Sequence, residues 1–200
     1  MIGLNEYYWC FEEVIPKNIC NDIVKYGNSK TLKKGLVGDY GEYTNDSKIR
    51  KSQICFLDER WILDEIIPYV RIGNQNAGWN FDFDWCESIQ FTNYEAGEFY
   101  GWHSDDMTSP YNEKHHPNYR GKIRKLSVSV NLTDPSEYIG GDFELDLRNN
   151  PQGRNIINID QVKPKGSIVI FPSFVTHQVT PVRKGKRTSL VLWNLGPPWK

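Results

Sequence analysis

Two periods of apolar residues divide the chain. In the first part apolar positions recur every three or four residues, as one face of a helix requires. The stretch IPKNICNDIVKYG sets Ile15, Ile19 and Ile23 four apart, carries Pro16 near its start and predicts a helix ending at Gly27. The stretch DERWILDEIIPYV sets Ile62, Leu63, Ile66, Ile67 and Val70 on one stripe. It predicts a second helix with Asp58 as N-cap and with Pro68 kinking or ending it. From about residue 87 the period shortens to two. ESIQFTNY, EFYGWHSD, KLSVSVNLTD, GGDFELD, GSIVIFPS, THQVTPV and RTSLVLWNL are short runs rich in β-branched and aromatic residues, many separated by Gly, Pro, Asn or Asp. About seven or eight strands are expected, with helices over about 14–75 and a β core over about 87–196. The fold class is α+β, a single domain across residues 1–200 with helices buttressing one sheet.

The alternation in KLSVSVNL carries the most information. Leu126, Val128, Val130 and Leu132 share one face, and Ser127, Ser129 and Asn131 share the other. If the apolar face packs on the helices, the Ser/Asn face lines a polar interior, as in a β-sandwich or open barrel with a ligand inside. Two segments stay outside the pattern. Residues 104–122 form a long polar loop, and residues 28–53, rich in Gly, Lys and Tyr, have no clear assignment; both are candidates for substrate-binding segments.

Composition narrows the function classes. Lys and Arg number 24 against 25 Asp and Glu, for a net charge of −1, so no basic surface for nucleic acid is expected. No run approaches the length of a membrane span. The first residues, MIGLNEYYWCFEEVI, lack the basic segment and apolar run of a signal peptide. Cys10, Cys20, Cys55 and Cys86 are scattered, with no C-x-x-C pair, which suits reduced thiols in a cytoplasmic protein.

Candidate chemistry starts at YGWHSDDM, residues 100–107. An H-x-D is common by chance, roughly one in four chains with this many His and Asp, and alone it reads as a polar turn. His177, in FPSFVTHQVTPV, and Arg187, in RTSLVLW, change the odds. Two imidazoles and one carboxylate on three corners of an octahedron make the facial triad of non-haem Fe(II) oxygenases. His103 and Asp105, two apart on a strand end, point the same way, whereas Asp106 points to the opposite face. His177 then comes from another strand. Arg187 opens an apolar strand and faces inward, where its planar fork suits the far carboxylate of a dicarboxylate co-substrate. Ser189 follows on the same face and can add a hydrogen bond. His115 and His116 read as exposed loop residues, Trp102 and Trp193 as core or as walls of the iron pocket, and Tyr100 either as packing or as a substrate contact.

These motifs together resemble the 2-oxoglutarate/Fe(II)-dependent dioxygenases, and within them the prolyl 4-hydroxylase-like group, over about residues 87–196. The resemblance implies a double-stranded β-helix, or jelly-roll, core behind N-terminal supporting helices. It assigns Fe(II) to His103, Asp105 and His177 and the 2-oxoglutarate anchor to Arg187, with Ser189 beside it. Tyr94, nine residues before His103, takes the place of a co-substrate tyrosine, and Asn131 stands where some relatives carry a second one. Gly140-Gly141 matches the family's turn before a strand. The implied reaction hydroxylates a C–H bond, in a prolyl or other residue of a peptide or protein, as O2 and 2-oxoglutarate are consumed and succinate and CO2 released; ascorbate is a possible helper. The alternatives are a sensor module that binds 2-oxoglutarate and iron without turnover, or an oxygenase acting on a small molecule or alkylated nucleic acid. Nucleic-acid demethylases typically carry a second Arg six residues after the anchor, where this chain has Trp193.

Overall fold

The structure is a computed structural model, and it describes residue 4 and residues 6–39, 42–44, 46–148 and 153–199. Part of the unassigned segment 28–53 therefore lies outside the described residues. Two helices, α1 (Lys17–Asn28) and α2 (Arg60–Asn76), lie where the 3.6-residue pattern puts them. The strands that build the two larger sheets are β1 (Trp9–Phe11), β2 (Lys33–Lys34), β3 (Arg50–Lys51), β4 (Gln53–Leu57), β5 (Ile89–Tyr94), β6 (Phe99–His103), β7 (Ile123–Asn131), β8 (Phe143–Asp146), β9 (Ile156–Asn158), β10 (Ile168–Pro172), β11 (Thr176–Val179) and β12 (Arg187–Gly196).

Every pairing in the two sheets is antiparallel. The major sheet runs β1-β10-β7-β12-β5-β4-β2, with an eighth short strand, Trp85–Cys86, paired to the end of β12 off this path, and the minor sheet runs β9-β8-β11-β6-β3. Neighbours in space are mostly distant in sequence, so strands keep crossing from one sheet to the other, as in a jelly roll.

The alternation in β7 sorts the layers. Leu126, Val128 and Val130 pack with Leu190 and Leu192 of β12, Ile168 and Ile170 of β10, and the helix residues Ile23, Ile62, Ile66 and Val70. The helices thus cover the outer face of the major sheet, where full burial of such side chains contributes about 1.5–3 kcal/mol each. The opposite face looks toward the minor sheet. Its apolar part joins Val169 and Phe171 of β10 to Phe143, Leu145 and Val179. Its polar part consists of residues two apart on three adjacent strands, with Ser189 of β12 in register with Thr92 on one side and Asn131 on the other. The expected polar interior is this strip.

Three expectations need correction. The described strands outnumber the seven or eight expected, because β1, β2, β3 and β4 precede residue 87; β4 pairs with β5 along five residues and belongs to the major sheet. Their brevity hides them from a period-two reading. The second helix does not end at Pro68 but continues to Asn76. Pro68 is exposed, and so is Asp64, whose carbonyl loses its helical partner to the proline; water can serve that oxygen while Ile66 and Val70 stay packed. Glu59, not Asp58, occupies the N-cap position, without a side-chain cap bond.

Candidate metal and co-substrate site

Strands β6 and β11 put His103 and His177 directly opposite each other across one antiparallel pair. Their rings lie 4.1 Å apart between centroids. Asp105, just past the end of β6, is held by its backbone N–H, which donates to the Ser173 carbonyl at 2.9 Å. One potential ligand atom from each of the three side chains lies within 4.8 Å of the others. Asp106, the other carboxylate in the motif, is exposed and accepts a hydrogen bond from the Ser104 hydroxyl at 2.5 Å.

The hydrogen bonds say what this cluster lacks. His103 Nδ1 lies 2.8 Å from the Gly101 carbonyl, and His177 Nδ1 lies 3.0 Å from the Val175 carbonyl. A carbonyl only accepts, so each Nδ1 carries the proton and each Nε2 presents its lone pair. Those Nε2 atoms face Asp105, at 3.8 Å from Oδ1 and 3.5 Å from Oδ2. Burial first, and then the neighbouring His177, hold the His103 imidazole down to about 3, so it is neutral. Burial pushes the Asp105 carboxyl up, but His177, His103 and Arg124 outweigh it and hold it at about 2, so it is charged. Asp105 Oδ2 is buried and accepts no hydrogen bond. Electron pairs from three side chains converge on one point with no proton between them. A cation at that point satisfies all three, and two imidazoles with one carboxylate suit Fe(II).

Apolar rings wall the cluster: Phe171 lies 4.7 Å and Phe143 5.7 Å from the His177 ring. On the other side Tyr100 stacks on His103 at 3.5 Å, only 12° from parallel. Trp193 is buried near Asp105, and its indole N–H, outside good hydrogen-bond geometry, still favours the charged carboxylate. Arg124 packs over the Trp193 ring at 4.0 Å and is fixed by a two-pronged pair with Glu87, at 2.6 and 2.8 Å. Trp102 is half-buried and lines the open cleft rather than the core. His116 is an exposed loop residue, as expected, whereas His115 is half-buried and lines the cleft that opens on His103 and Asp105.

Behind the cluster sits Arg187, only 1 % exposed. Its Nη1 donates to Ser189 Oγ at 3.3 Å, and its guanidinium lies 5.8 Å from the Tyr94 ring centroid. Arg187 and Tyr94 are register partners on β12 and β5. No described carboxylate pairs with Arg187. A buried guanidinium without an anion is costly, so the site fits a ligand that brings one. Burial raises the Tyr94 phenol, Arg50 and Arg187 opposing, so it stays a donor. Asn131 donates through Nδ2 to the Thr133 and Lys163 carbonyls at 2.9 and 2.5 Å, while its buried Oδ1 has no partner. The Gly140-Gly141 turn makes room for the arginine. A Cβ on Gly141, at φ +62°, would come within 3.0 Å of Arg187 Cδ, and one on Gly140, at φ +80°, within 2.4 Å of the Pro181 carbonyl.

A family model described as the 2OG-Fe(II) oxygenase superfamily matches residues 89–194, more than half of the chain. The chain belongs to the 2OG-Fe(II) oxygenase superfamily. Members of this superfamily use Fe(II), 2-oxoglutarate and O2. Among curated relatives of this oxygenase chain, a PKHD-type hydroxylase of Pseudoalteromonas atlantica is 32 % identical over 106 residues, covering 52 % of this chain and 41 % of its own length. A PKHD-type hydroxylase from a Shewanella species is 33 % identical over 104 residues, 52 % of this chain and 40 % of its own length. The oxygenase chain thus matches about two-fifths of the length of these relatives. Its fold is shared with a viral collagen prolyl hydroxylase of Paramecium bursaria Chlorella virus-1, at TM-score 0.65 and 20 % identity over 96 % of this chain and 97 % of that one. It is shared equally with a Pseudomonas putida prolyl-4-hydroxylase, at TM-score 0.66 and 17 % identity over 95 % and 92 %.

Arg50 and Arg124 of the cleft carry no individual signal in the sequence, although Arg50 falls within the candidate substrate-binding segment 28–53. Arg50 lies on a two-residue strand in a segment with no readable period. Arg124, second in β7, shares its parity with Leu126 and by counting belongs on the helix-covered face; a register shift between the two turns it into the cleft instead, and no period in the sequence signals that shift.

Proposed function

We propose that this chain is an Fe(II)- and 2-oxoglutarate-dependent hydroxylase acting on a prolyl residue of a peptide or protein, with release of succinate and CO2. The observation that carries the proposal is the convergence of three proton-free donors, His103 Nε2, His177 Nε2 and an Asp105 oxygen, in front of the anion-seeking Arg187. The neighbours named as prolyl hydroxylases support the substrate class, and one of them holds a peptide fragment. A cleft of about 1240 Å³ opens on His103 and Asp105, wide enough for an extended peptide.

In this reading His103, Asp105 and His177 hold Fe(II), which supplies the redox chemistry with O2 that no side chain can. Gly101 and Val175 carbonyls fix both imidazoles, so the donors are aimed before the metal arrives. Arg187 takes the far carboxylate of 2-oxoglutarate in a bidentate pair, with the Ser189 and Tyr94 hydroxyls adding hydrogen bonds. Asn131 sits one strand over from Ser189 and can orient the same ligand. Phe143 and Phe171 keep water from the His177 side, which strengthens each of these polar contacts. The unit that does this is residues 1–200 acting as one domain.

The test is turnover. Purified protein with Fe(II), 2-oxoglutarate and air is offered a panel of proline-containing peptides. The expected result is one succinate per oxygen atom gained by a peptide, by mass spectrometry. In the absence of air, Fe(II) and 2-oxoglutarate together are expected to give a visible charge-transfer band that His103→Ala removes. Succinate formation that no peptide stimulates would sink the hydroxylase reading.

A further inference from the structure

A second buried guanidinium faces the cleft from the other side. Arg50 is 5 % exposed and lines the cleft together with Tyr100, His103 and Asp105; Arg187 and Tyr94 do not line it. Arg50 Nε donates to Ser52 Oγ at 2.9 Å and Nη1 to the Leu36 carbonyl at 3.1 Å, but the buried Nη2 has no partner. No described carboxylate pairs with it. The group is held in a tight bed, since a Cβ on Gly35 would come within 2.5 Å of Nε. Its guanidinium carbon lies 4.4 Å from the Tyr100 ring centroid. The face of Tyr100 stacked on His103 is already covered, so the guanidinium occupies the opposite face. His103, Tyr100 and Arg50 therefore form three layers leading from the metal donors to the cleft wall.

We propose that Arg50 is a carboxylate-binding subsite for the primary substrate, and that this enzyme prefers a target flanked by an acidic group. The inference rests on the hydroxylase reading only in taking the cleft as the substrate's path. The buried, unpaired cation is destabilising unless an anion completes it, and the carboxylate geometry matches its free edge. One layer, the Tyr100 ring, separates Arg50 from His103, with spacings of 4.4 and 3.5 Å on its two faces, a span that two or three residues of extended chain cover at about 3.3–3.6 Å each. Lys33 and Lys34 of β2, both exposed, line the same end of the cleft and draw an anion toward it. Exposed Leu36, Ile49 and Phe56 offer apolar contact beside this basic edge.

The experiment compares binding to the Fe(II)-loaded protein with 2-oxoglutarate in the absence of air, so that no turnover occurs. The probes are fluorescent proline peptides with Asp or Glu one or two residues from the proline, their Asn or Gln counterparts, and a set whose only carboxylate is the chain terminus. The expected result is about tenfold or tighter binding of the side-chain acids, weakening with salt, and loss of that preference in Arg50→Gln. Preference for the terminal carboxylate alone would move the source of the anion from side chain to chain end while keeping the Arg50 subsite, provided Arg50→Gln abolishes it. Equal binding of acids and amides by the unmodified protein overturns the proposal and needs no folded variant. So does a preference that survives Arg50→Gln, or an Arg50→Gln loss confined to 2-oxoglutarate affinity. Because binding is read without turnover, an acid preference with no succinate formation would discard the hydroxylase reading and retain Arg50. Succinate formation without acid preference would do the reverse.

Discussion

Arg187 is the largest of the fully buried side chains, and it has no described anion. Its burial makes opposite demands on stability and binding. Arg187→Met removes a desolvated charge at similar volume, so the ligand-free protein is expected to melt at the same or a higher temperature. The same change removes the proposed bidentate pair with 2-oxoglutarate, at a cost of roughly 2–5 kcal/mol, so 2-oxoglutarate affinity should fall by more than about tenfold. Calorimetric melting and titration of one variant check both signs. At this scale the sequence was legible where chemistry and period coincide. His103 and Asp105 are two apart on a strand end, and Arg187 and Ser189 two apart on another, so their faces follow from counting. Arg50 has no such context. Its neighbours in the cleft come from residues 36, 100 and 103, and only the tertiary structure brings them together.

At the scale of elements, the outer face of the major sheet depends on close approach by α1. Gly27, in its last turn, lies against Phe91 of β5, and a Cβ there would sit 2.5 Å from the ring. Phe91 is fully buried and cannot swing away. Gly27→Ala is therefore expected to destabilise by about 1–3 kcal/mol despite its better helix propensity, measured as a lower urea midpoint at unchanged slope. Gly27 reads in sequence as a helix stop, but the helix includes it and runs to Asn28, and packing explains the glycine. The long β7 and β12 are visible as alternation because one face meets helices and the other a polar strip. Strands of two or three residues, such as β1 and β3, show no period and exist through their partners' hydrogen bonds.

For the whole molecule, the segment before α1 closes the major sheet. β1 pairs with β10 through Trp9, Cys10 and Phe11, and the Trp79 indole donates to the Glu6 carbonyl at 2.7 Å. Removing residues 1–12 strips a flank from β10, whose Val169 and Ile170 are fully buried. The shortened protein is expected to melt at a lower temperature and to scatter light on heating, since an uncovered apolar edge recruits other chains. No described helix is long and apolar enough to cross a membrane.

The histidines at the heart of the site face each other across a ladder with a shift in register next to them, between His177 and Val179. Regular pairing is thus interrupted beside the proposed metal donors. An ion bound there would act as a rivet between two strands that the backbone fastens only loosely. Loading and chelation should then change amide exchange first around Gly101 and Val175, leaving the helix-covered sheet nearly untouched, so occupancy could be followed residue by residue without any turnover.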